Sequence, residues 1–238
     1  MQKLILVSAS ALIASAGLAS PAFAQSADSS GGVYVSGSAG ILTSDSHLIN
    51  GATAAGAPRR IITDMENGLA LAFAVGYATK EADWGRVRAE LEYGRRQANL
   101  RALSLNGVNR ALIGVPDKVA TTGMVNAFYD SPTFLGPVRA ELGVGVGYSK
   151  VDYNVRYNVT ATGPAIEIPT NPTQFGYQLI GGFSGRVTRK VELFTQFRYL
   201  KISDHLVDRF NRTAGTLDSV LTANYDAKSV MFGARYVF

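Results

Sequence analysis

Residues 138–149 read VRAELGVGVGYS, and the order of side chains in that run decides the fold. Val138, Ala140, Leu142, Val144, Val146 and Tyr148 alternate with Arg139, Glu141, Gly143, Gly145, Gly147 and Ser149. A period of two marks a strand whose faces meet different surroundings. One face is apolar throughout. The other holds two ions and otherwise only glycine and serine. A soluble β-sandwich or lipocalin-like barrel would also alternate, but its polar face would be built for water. A face of small residues with a few ions suits the crowded inside of a narrow barrel, with the apolar face turned to lipid.

The same pattern recurs on both sides of this run. Leu69, Leu71, Phe73, Val75 and Tyr77 alternate with Ala70, Ala72, Ala74 and Gly76. Val87, Ala89, Leu91 and Tyr93 oppose Arg88, Glu90, Glu92 and Arg96. Val191, Leu193, Thr195, Phe197 and Tyr199 oppose Glu192, Phe194, Gln196 and Arg198. At the end, Val230, Phe232, Ala234, Tyr236 and Phe238 oppose Ser229, Met231, Gly233, Arg235 and Val237. Weaker alternation over 32–42, 119–130 and 173–187 brings the expected number of strands to eight.

The connections alternate in length. Stretches 43–67, 98–118, 153–172 and 203–224 are long and are expected to be loops. Lys80–Asp83, Ser131–Gly136 and Thr188–Lys190 are tight turns. Long connections at one end and short turns at the other predict an all-β, eight-stranded antiparallel transmembrane β-barrel with short periplasmic turns and long extracellular loops. Strands of about 9–11 tilted residues suffice to cross a bilayer.

The first 24 residues agree with that destination. Lys3 is followed by an apolar stretch from Leu4 to Leu18, then Pro21 and Ala22-Phe23-Ala24, the pattern of a secretory signal peptide cleaved after Ala24. Residues 25–238 are expected to form one barrel domain. The chain of 238 residues has no Cys, which excludes disulfides and cysteine-based metal sites. Its net charge of +5 is scattered and argues against nucleic acid as a partner.

These features resemble the eight-stranded outer-membrane β-barrel proteins of Gram-negative bacteria, of the OmpA/Opa-like, surface-antigen type. The resemblance rests on the leader, GVYVSGSAGI (32–41), VNAFYD (125–130), GPVRAELGVGVGYS (136–149) and the terminal ARYVF. It implies that Phe232, Tyr236 and Phe238 form the C-terminal signature read by the barrel-assembly machinery. It further implies the outer membrane as location, with its lipids and lipopolysaccharide as surroundings. The chain ends at Phe238, so the peptidoglycan-binding domain of some relatives is not expected.

On this reading Arg88, Glu90, Glu92, Arg139, Glu141, Glu192, Arg198 and Arg235 face the lumen. They are expected to form a neutral plug of at least two separate groups of ion pairs, since buried ions need partners. Strands three and seven lie opposite each other in such a ring, so their Arg and Glu can meet across the axis. Tyr77, Tyr129, Tyr236 and Phe238 at the turn end, and Tyr93, Tyr148, Phe197 and Tyr199 at the loop end, predict two interfacial aromatic rings. His47 and His205 fall in predicted loops. Ser203-Asp204-His205 supplies catalytic residue types, but adjacent loop residues rarely make a triad. No catalytic residue, metal site or cofactor is expected. The function expected is structural: envelope integrity and surface interaction through the loops, with no partner named by the sequence. The alternatives are a small porin-like channel for hydrophilic solutes and, behind it, a lipid A-modifying enzyme.

Overall fold

The computed structural model describes residues 31–43, 46–53, 55–114, 117–160, 163–170 and 172–238. The expected signal peptide lies outside the described residues. Those residues form twelve strands: β1 (Gly32–Thr43), β2 (His47–Thr53), β3 (Pro58–Met65), β4 (Gly68–Ala78), β5 (Arg86–Leu105), β6 (Val108–Arg110), β7 (Asp117–Asp130), β8 (Val138–Asn158), β9 (Ala165–Thr170), β10 (Thr173–Arg186), β11 (Val191–Asn211) and β12 (Thr216–Val237).

Eight of them close a barrel. β1, β4, β5, β7, β8, β10, β11 and β12 each pair antiparallel with the next. β12 returns to β1 from Tyr34↔Val237 to Thr43↔Lys228, so no edge is left open. The outward face is apolar and exposed: Phe73, Leu91, Val125, Leu142, Val144, Phe197 and Phe232 all project from the wall. Their alternation partners are buried inside. This is a protein turned inside out for hydrocarbon, with the wall's strands paired to a neighbour on both sides all round the ring.

The long connections lie at the end opposite the tight turns, but most of their length is strand rather than irregular loop. β5, β8, β11 and β12 run on for 20 to 22 residues each, well past the bilayer. β2 joins β12 to β3, and β3 pairs with β5. β6 folds back on β5, and the Leu112↔Tyr157 bridge carries the sheet to β8. β9 then links β8 to β11. A second ring of strands therefore stands on the first, as an extracellular head.

The physical reason is an inversion of polarity along single strands. On β8 the outward residues change from Leu142, Val144, Val146 and Tyr148 to Lys150, Asp152, Asn154 and Arg156. The inward ones change from Glu141, Gly143, Gly145, Gly147 and Ser149 to Val151, Tyr153, Val155 and Tyr157. Below the boundary the wall meets lipid and above it water, so the apolar side moves from outside to inside. The head accordingly has an apolar core that includes Leu42, Ile49, Ile61, Leu103, Ile168, Leu200, Ile202 and Leu221. A register shift between Asp64 and Met65 against β5 coincides with the change from inward Leu100 to inward Leu103 and Leu105, which breaks the simple alternation there.

Candidate functional site

The barrel's interior is the candidate site, and it is layered. Nearest the periplasmic turns is a closed ring of alternating charges. Arg86 Nε lies 2.7 Å from Asp130, and Asp130 lies 2.7 Å from Arg88 Nε. Arg88 Nη2 is 3.3 Å from Glu141, and Glu141 is 3.2 Å from Arg235 Nη1. Arg235 is 2.8 Å from Glu192, and Glu192 is 2.6 Å from Arg86, which closes the circle. Three arginines thus alternate with three carboxylates contributed by β5, β7, β8, β11 and β12. Glu90 attaches at the side, 2.7 Å from Arg88, and accepts a hydrogen bond from the Tyr34 hydroxyl at 2.7 Å.

Aromatic rings lie against the guanidinium groups. Arg88 stacks 4.2 Å from the Phe128 centroid, and Arg235 sits 5.2 Å from both Tyr34 and Phe194. Glycines make room for these rings. A Cβ at Gly143 would come within 2.5 Å of Phe128, one at Gly76 within 2.5 Å of Tyr34, and one at Gly233 within 2.4 Å of Phe194.

A layer of amides and further charges follows. Arg198 pairs with Glu92 at 2.7 Å. Asn126 and Gln178 both donate to Glu92, at 3.0 and 3.2 Å, and Gln178 also donates to Asn126 Oδ1 at 2.7 Å. Arg96 donates to Thr122 Oγ1 at 3.3 Å and to Gln178 Oε1 at 3.4 Å. Gln196 ties the two layers together: it donates to Glu141 at 2.7 Å and accepts from Arg198 Nε at 3.1 Å. The separate groups expected from the sequence are therefore one connected network. Its members include Arg86, Asp130, Arg96 and Tyr34, which lay outside the eight charges singled out. Arg86 falls one residue before the strand read from alternation at 87–96, and Asp130 is the last residue of the stretch read at 119–130. Arg139 is not a member of the ring but pairs at 3.1 Å with Glu81 of the first periplasmic turn, which also meets Arg186 at 4.0 Å, and Arg186 reaches Glu192 of the ring at 3.5 Å.

The head encloses the third layer. Both histidines are in strands and buried, not in loops: His47 opens β2, and His205 lies in β11. His47 stacks on Tyr225 with centroids 5.1 Å apart. On the same lumen, Lys118 Nζ sits 4.6 Å from the Tyr225 ring and 4.9 Å from the Tyr153 ring. Burial, with the charges of Lys118 and Lys201 adding to it, lowers the His47 pKa from 6.5 to about 2. Ser203 and Asp204 are exposed while His205 is buried, at a register shift in β11, so these three neighbours do not converge. Phe232, Tyr236 and Phe238 all project outward beside the β12–β1 seam, with Tyr236 and Phe238 edge to face at 5.2 Å.

A closed ring of eight strands with an apolar outer wall and a polar, ion-paired inside defines a transmembrane β-barrel. A family model described as outer membrane protein beta-barrel domain matches residues 10–238. The chain belongs to that family, and its location is the outer membrane of a Gram-negative bacterium. Two solved structures share the fold, and a third is similar at a lower score. The outer membrane protease OmpT from Escherichia coli superposes with a TM-score of 0.56 at 10% identity, over 91% of this chain and 99% of that one. OprG from Pseudomonas aeruginosa gives 0.53 at 15% identity, over 87% and 97%. Neisserial surface protein A gives 0.48 at 19% identity, over 87% and 97%. No curated protein sequence matches the chain.

Proposed function

We propose that this is a non-enzymatic barrel with a sealed lumen, whose mature chain from residue 25 onward carries a folded head above the outer membrane for envelope integrity and surface contacts. One observation carries the reading: the charge ring, the amide layer and the apolar core of the head follow one another along the axis. An ion entering from either end meets paired charges at one level and hydrocarbon at another. The eight charges read from the sequence act, on this proposal, as a structural plug rather than a gate. The lipids and lipopolysaccharide of the membrane, and the assembly machinery acting on the Phe238 end, are its proposed partners.

A deletion strain tests the reading. It should become more sensitive to detergents and bile salts, with uptake of small hydrophilic solutes and the lipid A mass spectrum unchanged. Slowed solute uptake in an intact envelope would favour a pore, and an altered lipid A spectrum would favour an enzyme.

A further inference from the structure

The outer wall carries a second arrangement, at the level where its polarity inverts. Two rows of outward residues cross β5, β7 and β8 there. The lower row is Tyr93, Gly123 and Tyr148, and the upper row is Arg95, Thr121 and Lys150. Each row spans three adjacent strands, so its outer members stand roughly 9.5 Å apart, and the rows are roughly 7 Å apart along the strands. Tyr93 and Tyr148 are more than half exposed, and a Cβ added at Gly123 would meet nothing within 4 Å. The glycine therefore floors an open slot between two tyrosine rings, one of them backed by Phe175 at 6.3 Å. Immediately above the slot, two cations flank a hydroxyl. Arg95 is exposed and makes no ion pair among the described residues. Lys150 reaches Asp152 at 3.4 Å, but both are about half exposed, and such a surface pair is worth little.

We infer that this constellation is a binding site for a phosphorylated glycolipid of the outer leaflet. Arg95 and Lys150 hold its phosphate, with Thr121 donating a hydroxyl hydrogen bond. The sugar and the upper part of an acyl chain lie in the slot between Tyr93 and Tyr148. The placement supports this source. The two cations sit at the outer interface of a membrane protein, directly above aromatic residues that face lipid. An anionic headgroup with hydrocarbon below it is the ligand that satisfies both rows at once. Arg contributes a planar fork to phosphate oxygens and Lys a point charge.

The inference rests on the outer-membrane location and is independent of whether the lumen is sealed. Its test uses folded full-length protein in detergent, with retained lipid A counted by native mass spectrometry. Wild type is expected to retain bisphosphorylated lipid A. R95Q/K150Q should weaken retention about 10–30-fold, from the worth of two basic side chains beside anionic lipid. Phosphate-free lipid A should bind wild type as poorly as lipid A binds the variant. G123L, which fills the slot without touching the cations, should weaken retention as well. Heat-modifiable migration verifies that each variant is folded. Equal retention by R95Q/K150Q, or by lipid A with and without phosphates, would overturn the site. Displacement of lipid A by millimolar inorganic phosphate alone would overturn its assignment to a lipid, and retention in that buffer is expected.

Discussion

Glu192→Ala opens the charge ring at its best-connected carboxylate. Glu192 accepts two hydrogen bonds from Arg86, at 3.0 and 2.6 Å, one from Arg235 at 2.8 Å and a longer one from Arg186 at 3.5 Å. After its removal Arg86 keeps Asp130, Arg235 keeps Glu141 and the more open Arg186 keeps Glu81 at 4.0 Å, so no arginine is wholly unpaired, but the ring carries one excess positive charge in a narrow lumen. Breaking a buried pair costs roughly 3–5 kcal/mol, and the partners that survive place this case near 3 kcal/mol. Arg86→Ala should cost a similar amount, since Asp130 keeps Arg88 and Glu192 keeps Arg235. The double variant restores neutrality and should cost about 2 kcal/mol less than the sum of the singles, within the range for residues in one network. The same cycle between Glu192 and Arg96, which share no partner, should be additive to about 0.5 kcal/mol. The assay is urea unfolding of protein refolded into lipid vesicles, read by the fluorescence of Trp84, the chain's one tryptophan, exposed at the periplasmic rim. An additive Glu192–Arg86 cycle, or a single-variant cost below about 1 kcal/mol, would show that these side chains are separately hydrated.

Deleting Phe238, or replacing it with Asp, should lower the amount of heat-modifiable protein in the outer membrane, because this residue ends the β12–β1 seam on the lipid side; normal amounts would refute that role. Val144→Arg should cost about 2–4 kcal/mol if the position lies near the bilayer midplane; a spin label there should contact lipid and one at Gly145 should not, and the reverse would mean a register one residue off. His47 supplies a pH dependence. The unfolded chain takes up a proton near pH 6.5, whereas the folded one does not until about pH 2, so this contribution to stability is complete above pH 6.5 and is lost as the pH falls below it. His47→Phe, which keeps a ring against Tyr225, should flatten the acid limb of the stability profile below pH 6.5, and an unchanged slope would contradict the burial argument.

The barrel was legible because lipid on one side and a crowded lumen on the other impose a strict parity. Leu142 and Val144 against Gly143 and Gly145 carry it almost without exception. The head was not legible by the same rule, because its strands keep the alternation and exchange its meaning: Lys150 and Asn154 take the outer side and Val151 and Val155 the inner. A reading that looks for an apolar outer face stops at Tyr148 and records the remainder as loop. The register shifts at Asp64/Met65 and Ile202/His205 hide the pattern further. Parity also assigns a face to Arg88, Glu141 and Arg235 but says nothing of partners. Which charges meet depends on Phe128, Tyr34 and Phe194 filling glycine notches on neighbouring strands, and that is a matter of packing. Extending the parity of β5 by one residue would have added Arg86, and the last residue of β7 would have added Asp130.

The sealed lumen is the central claim, and ionic conductance across a planar bilayer containing the folded protein tests it most directly. Wild type should show no steady channel in molar KCl at either polarity, and Glu192→Ala should stay silent too, because the apolar core of the head still blocks the axis. Discrete, reproducible openings of the wild-type protein would contradict the account.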